Sequence, residues 1–204
     1  MNKLNLPPLN KCSIAVIGLG YVGLPLAISI SNQKRCLISN KKIQRKVIGF
    51  DLDISRINEL KKGFDRNKSS FKNTKKHLES IEFTNDINLL KKVDVFIIAV
   101  PTPIDNKNNP NLSFIKDASK LVGESIGSLE KNKLNKIIIY ESTVYPGLTE
   151  EICVPIIENN SGLKHNEPKN ENTFFCGYSP ERINPGDGDH TINTIIKVTR
   201  GSNE

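Results

Sequence analysis

The sequence predicts an α/β protein, a doubly wound parallel sheet with helices on both faces. Three observations carry that expectation. Short runs rich in Val, Ile and Phe recur along the chain, apolar at consecutive positions, as strands covered on both faces must be. Segments with helical spacing alternate with them, which is the pattern of right-handed β-α-β units. The first run leads through Gly18-Leu19-Gly20-Tyr21-Val22-Gly23 directly into an apolar helix. That strand, glycine turn and helix is the context a G-x-G-x-x-G needs before it means a Rossmann-like dinucleotide site rather than a glycine-rich turn of another α/β protein.

The elements follow in order. A first strand is expected over residues 13–17 and a first helix over 21–32, with Pro25 in the opening turns, where a missing N–H costs little. Residues 33–46 are a polar, basic surface excursion. A second strand over 46–51 ends in Asp51. A helix over 54–62 has one buried face and stops at Gly63. Residues 64–80 are polar and irregular, with a short helix near 75–80. A brief strand over 82–84 and a short helix over 86–92, capped by Asn85 or Asp86, precede the clear buried strand 93–100. Pro101-Thr102-Pro103 stops that strand. Ser113 caps a helix to about residue 129, and 136–140 is again a buried strand. Pro146 opens a helix running to about residue 159. A polar loop over 160–172, a strand over 173–176, a loop over 177–190 and a last strand over 194–199 complete the chain.

Composition sets outer bounds. The 204 residues suit one domain, here residues 12–204, behind a loose lead-in over 1–11. The net charge of +7 comes mostly from lysine. Lys34, Arg35, Lys41, Lys42, Arg45 and Lys46 cluster, without an arginine-rich arm or interleaved aromatics. A solvated basic surface is expected, and no nucleic-acid partner. Cys12, Cys36, Cys153 and Cys176 show no C-x-x-C spacing, and His77, His165 and His190 lie far apart, so no metal site is expected. Without a signal peptide the thiols are expected to be reduced, in the cytoplasm. Apolar runs fall far short of the ~20 residues that span a bilayer, so no membrane partner is expected.

In an open parallel sheet, ligands bind beyond the carboxyl ends of the strands. Gly18, Gly20, Tyr21, Val22 and Gly23 are there, where the start of the helix faces a pyrophosphate with free N–H groups and its positive dipole end. Asp51 ends the second strand, so its carboxylate can accept the ribose hydroxyls and repel a 2′-phosphate. This favours NAD over NADP. Asp51 stands 28 residues after Gly23, beyond the usual gap of about 20, and the basic excursion accounts for the excess. Asp53 is the competing acid. Arg56, one turn further, covers the adenine side or is a solvated helix arginine. Thr102 is held between two prolines. Glu141 and Thr143 follow a core strand directly; the plainer readings are an exposed carboxylate and a helix cap. Glu181-Arg182, in a proline-stiffened loop, orients a water or a sugar phosphate, or forms a surface ion pair.

Taken together, GLGYVGLPLA, VIGFDLD followed by RI, VFIIAVPTP, ESTVYPGLTEE and GYSPERINPGD resemble the UDP-glucose/GDP-mannose dehydrogenase family over residues 12–201. SPERINPGD and Gly63-Phe64-Asp65-Arg66 resemble the UDP-N-acetylhexosamine 6-dehydrogenases within it. The resemblance implies oxidation of the C6 hydroxyl of a UDP-N-acetylhexosamine to a carboxylate with two NAD, for polysaccharide biosynthesis. It implies that Gly18, Gly20, Tyr21, Val22 and Gly23 hold the pyrophosphate and that Asp51 and Arg56 hold the adenosine ribose. Thr102 and Thr143 would contact the cofactor, Thr143 also near the reacting sugar. Glu181 would position or activate water, and Arg182 and Ile183 would touch substrate. Such enzymes are about twice this length, with a central helix that carries the homodimer contact, a nucleophilic cysteine that holds the aldehyde as a thiohemiacetal and then a thioester, and a UDP-binding domain. None of the four cysteines matches that nucleophile by motif. The chain ends at Glu204, so a truncated chain that binds NAD without turnover is expected. The competing readings are a stand-alone dinucleotide-binding module and a UDP-glucose dehydrogenase.

Overall fold

The computed structural model describes residues 4–67, 74–127, 135–167, 173–180 and 198–201. The first strand, β1 (Ile14–Ile17), pairs in parallel with β2 (Val47–Phe50) on one side and β4 (Val95–Ile98) on the other. Beyond β2 lies β3 (Glu82–Thr84). Beyond β4 lie β5 (Lys136–Tyr140), β7 (Thr173–Tyr178) and β6 (Lys164–His165). The order is β3-β2-β1-β4-β5-β7-β6, parallel throughout, and β8 (Arg200–Gly201) adds antiparallel to the end of β7. The chain reverses direction across the sheet between β1 and β4, where a crevice opens above the strand ends.

Alternation within the strands builds two cores. Ala15, Ile17, Ile48, Phe50, Phe96, Ile98, Ile138 and Tyr140 point to one face. There they meet Ile115, Ala118, Val122 and Ile126 of α4 (Ser113–Gly127) and Val154 and Ile157 of α5 (Val154–Ser161). Ile14, Val16, Val47, Val95 and Ile97 point to the other. They pack against Leu24, Ala27 and Ile28 of α1 (Gly23–Asn32), against Ile57 and Leu60 of α2 (Ile54–Lys61), and against Leu78 at the end of α3 (Thr74–Leu78). The side-chain period of two thus explains strands that are apolar at every position. A polar pair is built into the first core: the buried Tyr140 hydroxyl lies 2.8 Å from Ser119 Oγ, which donates to Ile115 O.

Several elements differ from the sequence expectation. α1 begins at Gly23, because residues 21–22 form the turn. β4 is four residues long. The expected helix over 86–92 is a 3-10 turn, Ile87–Leu90, capped by the Asp86 carboxylate, which accepts from Asn88 N at 2.9 Å. Ser113 lies inside α4, and the Asn111 side chain accepts its N–H at 3.0 Å. Pro146 does not open a helix. It makes a turn with Gly147, and a π-helical stretch, Thr149–Cys153, precedes α5. Pro155 supplies the reason. It has no N–H to return to the carbonyl four residues back, and the wound chain widens so that Val154 N donates to Thr149 O. The loop expected over 160–172 contains β6, and the strand expected over 173–176 extends to Tyr178. Of the strand expected over 194–199, residues 194–197 lie outside the described residues. Residues 198–199 are not strand, and pairing begins at Arg200.

Candidate functional site

Strand ends converge on one edge of the sheet, and the glycine turn after β1 is its centre. Gly18 has φ +91°, and a Cβ there would lie 2.9 Å from Ala99 O, the carbonyl following β4. Only glycine takes that backbone without strain. A Cβ on Gly23 would lie 1.8 Å from Gly18 O, so the absence of a side chain lets α1 close on the turn. Gly20 differs: it is exposed, and a Cβ there would meet nothing within 4 Å. The space over Gly20 is open to a ligand. The start of α1 has no side-chain cap and no acid in its first turn, so its N–H groups are left for an anion. Tyr21 stands 65% exposed beside it, and Val22 is the N-cap residue, packed partly onto the core.

Asp51 reaches this turn from the end of β2. Its Oδ2 accepts from Leu19 N at 2.8 Å, and its Oδ1 accepts from Asp53 N at 3.0 Å. Each oxygen retains acceptor capacity for a diol. Asp53, the competing acid, is committed elsewhere: its Oδ1 caps α2 by accepting from Ser55 N at 2.8 Å and Arg56 N at 3.2 Å. The Ser55 hydroxyl also donates to Oδ1 at 2.6 Å, and it, with the backbone N–H groups, holds the Asp53 carboxyl below its ordinary pKa.

Arg56 is neither solvated nor displayed on the surface. It is 4% exposed. Its Nε donates to Leu19 O at 3.0 Å, and Nη2 lies 2.7 Å from Asp65 Oδ1. Nη1 is 3.8 Å from Glu59 Oε2. The Asp65 and Glu59 contacts are ion pairs by distance, without hydrogen-bonding angles. Leu19 is thus held from both ends, its N–H by Asp51 and its carbonyl by Arg56. Leu19, Asp65 and Glu59 carry no motif that announces this. Their link depends on the path of the chain after Gly63, which has φ +78°.

The turns after β4 and β5 are tied together. Thr102 Oγ1 donates to Thr143 O at 2.8 Å, and Ser142 Oγ to Val100 O at 2.6 Å. Thr143 is exposed, and the helical stretch after it has Leu148 at its N-cap with no side-chain cap, so Thr143 caps nothing there. Glu141 is buried, at 5% exposure, and is not the exposed carboxylate of the plainer reading. The Tyr178 hydroxyl, 3.3 Å from both Val144 N and Val144 O, clamps the same turn from β7. No motif or spacing in the sequence points to that clamp. Glu181, Arg182 and Ile183 lie outside the described residues. The structure therefore brings Gly18, Gly20, Tyr21, Val22, Gly23 and Asp51 to one edge with Thr102 and Thr143, and sets Arg56 behind the turn.

The cysteines do not join this edge. Cys12, Cys153 and Cys176 are buried, and Cys36 lies in the loop between α1 and β2, at the opposite end of the strands. Among the described residues no group of three His, Cys, Asp or Glu side chains could hold a metal ion, and no helix is long and apolar enough to cross a membrane.

Known proteins share both sequence and architecture with this chain. Residues 12–203 match the UDP-glucose/GDP-mannose dehydrogenase family, NAD binding domain. Protein CapL of Staphylococcus aureus is 49% identical over 189 residues, covering 93% of this chain and 39% of CapL. The UDP-N-acetyl-D-glucosamine 6-dehydrogenase of Pseudomonas aeruginosa is 45% identical over 189 residues, covering 93% of this chain and 40% of that protein. The crystal structure of NDP-N-acetyl-D-galactosaminuronic acid dehydrogenase from Methanosarcina mazei superimposes with a TM-score of 0.68 at 27% identity, covering 86% of this chain and 35% of that one. This chain spans about two fifths of the length of the curated relatives it matches. With a glycine turn open at Gly20, an uncapped helix start and a carboxylate at the end of β2, the chain belongs to the UDP-glucose/GDP-mannose dehydrogenase family, as its NAD-binding domain.

Proposed function

We propose that this chain is the cofactor-binding part of a UDP-N-acetylhexosamine 6-dehydrogenase, which oxidises the C6 hydroxyl of its nucleotide sugar to a carboxylate. The open approach to Gly20 beside the Asp51 carboxylate carries the cofactor half of this reading. The 45% and 41% identities to the UDP-N-acetyl-D-glucosamine 6-dehydrogenases of Pseudomonas aeruginosa and Salmonella typhi support the sugar half. When bound, NAD would supply the hydride acceptor. The N–H groups at the start of α1 would hold its pyrophosphate, and Asp51 would accept the ribose hydroxyls. Thr102 and Thr143 would line the path toward the reacting end. Arg56 would keep the turn in shape rather than touch the adenosine. Glu181, Arg182 and Ile183 are proposed for the water and substrate side of the same edge.

Cofactor binding and turnover separate in this chain, because no cysteine stands at the strand-end edge to hold an oxidised sugar covalently. Calorimetric titration of the chain with NAD is expected to show saturable binding, with NADP much weaker. Asp51→Asn is expected to weaken NAD by about ten- to a hundredfold, the loss of a charge-assisted hydrogen bond. Equal affinity for NAD and NADP would sink the assignment of Asp51. NADH absorbance after adding NAD with UDP-N-acetylglucosamine or UDP-N-acetylmannosamine is expected to stay flat for residues 1–204 alone. Sustained NADH production would show that these residues suffice for the oxidation.

A further inference from the structure

The 33–46 excursion is a folded projection, and the dinucleotide site gives it no role. Arg35 and Lys42 form an antiparallel bridge. Cys36 N donates to Lys41 O at 2.9 Å, Asn40 N to Cys36 O at 2.9 Å and Ile43 N to Lys34 O at 2.8 Å. Asn40 takes φ +52° to close the turn. The base is anchored: Ile43 is buried, Gln44 N donates to Asn10 O at 2.8 Å, and Arg45 Nε donates to Leu9 O at 2.6 Å. One apolar residue therefore points in. The two at the tip point out, with Leu37 91% and Ile38 97% exposed.

The surroundings of that tip are cationic. Residues 33–46 contain six Lys or Arg and no acid. Of the six, Lys46 ion-pairs with Glu82 at 2.6 Å. Lys34, Arg35, Lys41 and Lys42 are exposed around the base of the tip. Because the excursion joins the end of α1 to the start of β2, it lies at the amino-terminal edge of the sheet. The glycine turn and Asp51 face the other way.

We propose that this projection docks the protein on an anionic lipid surface. The shape decides between occupants. A convex tip of two apolar side chains needs a surface that yields around it, and the headgroup–acyl boundary does so, taking Leu37 and Ile38 in while lysine and arginine meet the headgroup charge. An acidic protein would need a matching pocket for the tip. A nucleic acid would use the cations but leave Leu37 and Ile38 in water, and residues 33–46 contain no aromatic side chain for stacking. Docked in this way, the protein holds its strand-end edge away from the lipid and open to nucleotide ligands.

Co-sedimentation of the 204-residue chain with vesicles tests the proposal. Vesicles of phosphatidylcholine with about one-third phosphatidylglycerol are expected to pellet the chain, and pure phosphatidylcholine vesicles are not. Raising salt to about 1 M is expected to release it. The Leu37→Ser/Ile38→Ser double variant is expected to lose about tenfold or more in partitioning, and Lys41→Gln about fivefold. A thermal melt matching the wild type shows that each variant is folded, since all three side chains are exposed. Failure of the wild-type chain to pellet with the anionic vesicles overturns the proposal. So does equal pelleting of the double-serine variant, which would reduce the effect to net charge. A lipid-free dimer in sedimentation velocity that the same double variant dissolves would assign the tip to a second copy of the chain instead.

Discussion

Gly20 and Gly23 stand three positions apart and differ in what a methyl group would meet. At Gly23 it would overlap Gly18 O, and at Gly20 it would enter open space. Gly23→Ala is therefore expected to destabilise the fold by about 1–3 kcal/mol or more, since the turn and α1 must separate. Gly20→Ala is expected to keep its melting temperature and lose about tenfold in NAD affinity, because its new methyl group stands where a pyrophosphate would approach. A melting curve and a calorimetric titration of each variant separate the two effects. Unchanged NAD affinity in Gly20→Ala would move the phosphates off this turn. Cys36 makes a second residue-scale case. Hydrogen bonds from Ser39, chiefly its side chain, with Ser39 N 3.5 Å from the sulfur, lower its pKa to about 7. Burial pushes the thiols of Cys12, Cys153 and Cys176 up. Iodoacetamide at neutral pH is expected to alkylate Cys36 alone in the native protein, since the thiolate is the nucleophile. Peptide mass spectrometry showing equal labelling of Cys153 or Cys176 would contradict the burial that the structure assigns them.

The elements were legible in the sequence where one physical rule decided them. β1, β2 and β4 are buried on both faces, β5 is buried on one and half-buried on the other, and their apolar runs with β-branched residues say strand without help from the rest of the chain. The turn after β1 was legible because glycine was needed at Gly18 and Gly23 for reasons local to the motif. The π-helical stretch before α5 was not, because Pro146 and Pro155 both suit a helix start and only the packed chain chooses the second. Arg56 was read as a side chain for the cofactor or for water. Its place was hidden because Asp65 comes to it through the turn at Gly63, a contact that no periodicity encodes. The link makes a prediction about α2 as a unit. Arg56→Ala and Asp65→Ala each remove one side of the buried pair, and each is expected to cost about 3–5 kcal/mol in urea unfolding. The double variant is expected to cost less than their sum, because both changes break the same contact. Strict additivity would mean that the two side chains do not act as a pair.

Over the whole molecule, two cores share one sheet, and their titratable groups give stability a defined dependence on pH. The parallel direction of the strands was implied by the alternation of elements, but not the depth at which Tyr140, Cys153 and Cys176 would lie. All three belong to the core between the sheet and α4 and α5. Burial raises the pKa of each above its ordinary value, 10.0 for the phenol and 9.0 for the thiols, and that of Cys12 in the other core likewise. Such a group stays protonated in the folded chain at a pH where the unfolded chain has released the proton. Its contribution is therefore intact below the unfolded pKa and is lost as pH rises toward the folded one. Two groups oppose this. Burial lowers the pKa of Lys136 from 10.5, and the lowered pKa of Cys36 adds stability between about 7 and 9.0 as pH rises. Just above the thiol value three thiols stand against one amine, and the phenol joins them above 10.0, so urea midpoints are expected to rise slightly toward pH 9 and then fall, each net group contributing about 1.4 kcal/mol per pH unit. Cys176→Val keeps the site apolar and removes one titrating thiol. It is expected to flatten the alkaline limb by about that one-group slope. A midpoint that stays level from about pH 8 to about pH 10.5 in the wild type would mean that these thiols ionise as readily in the folded chain as in the unfolded one.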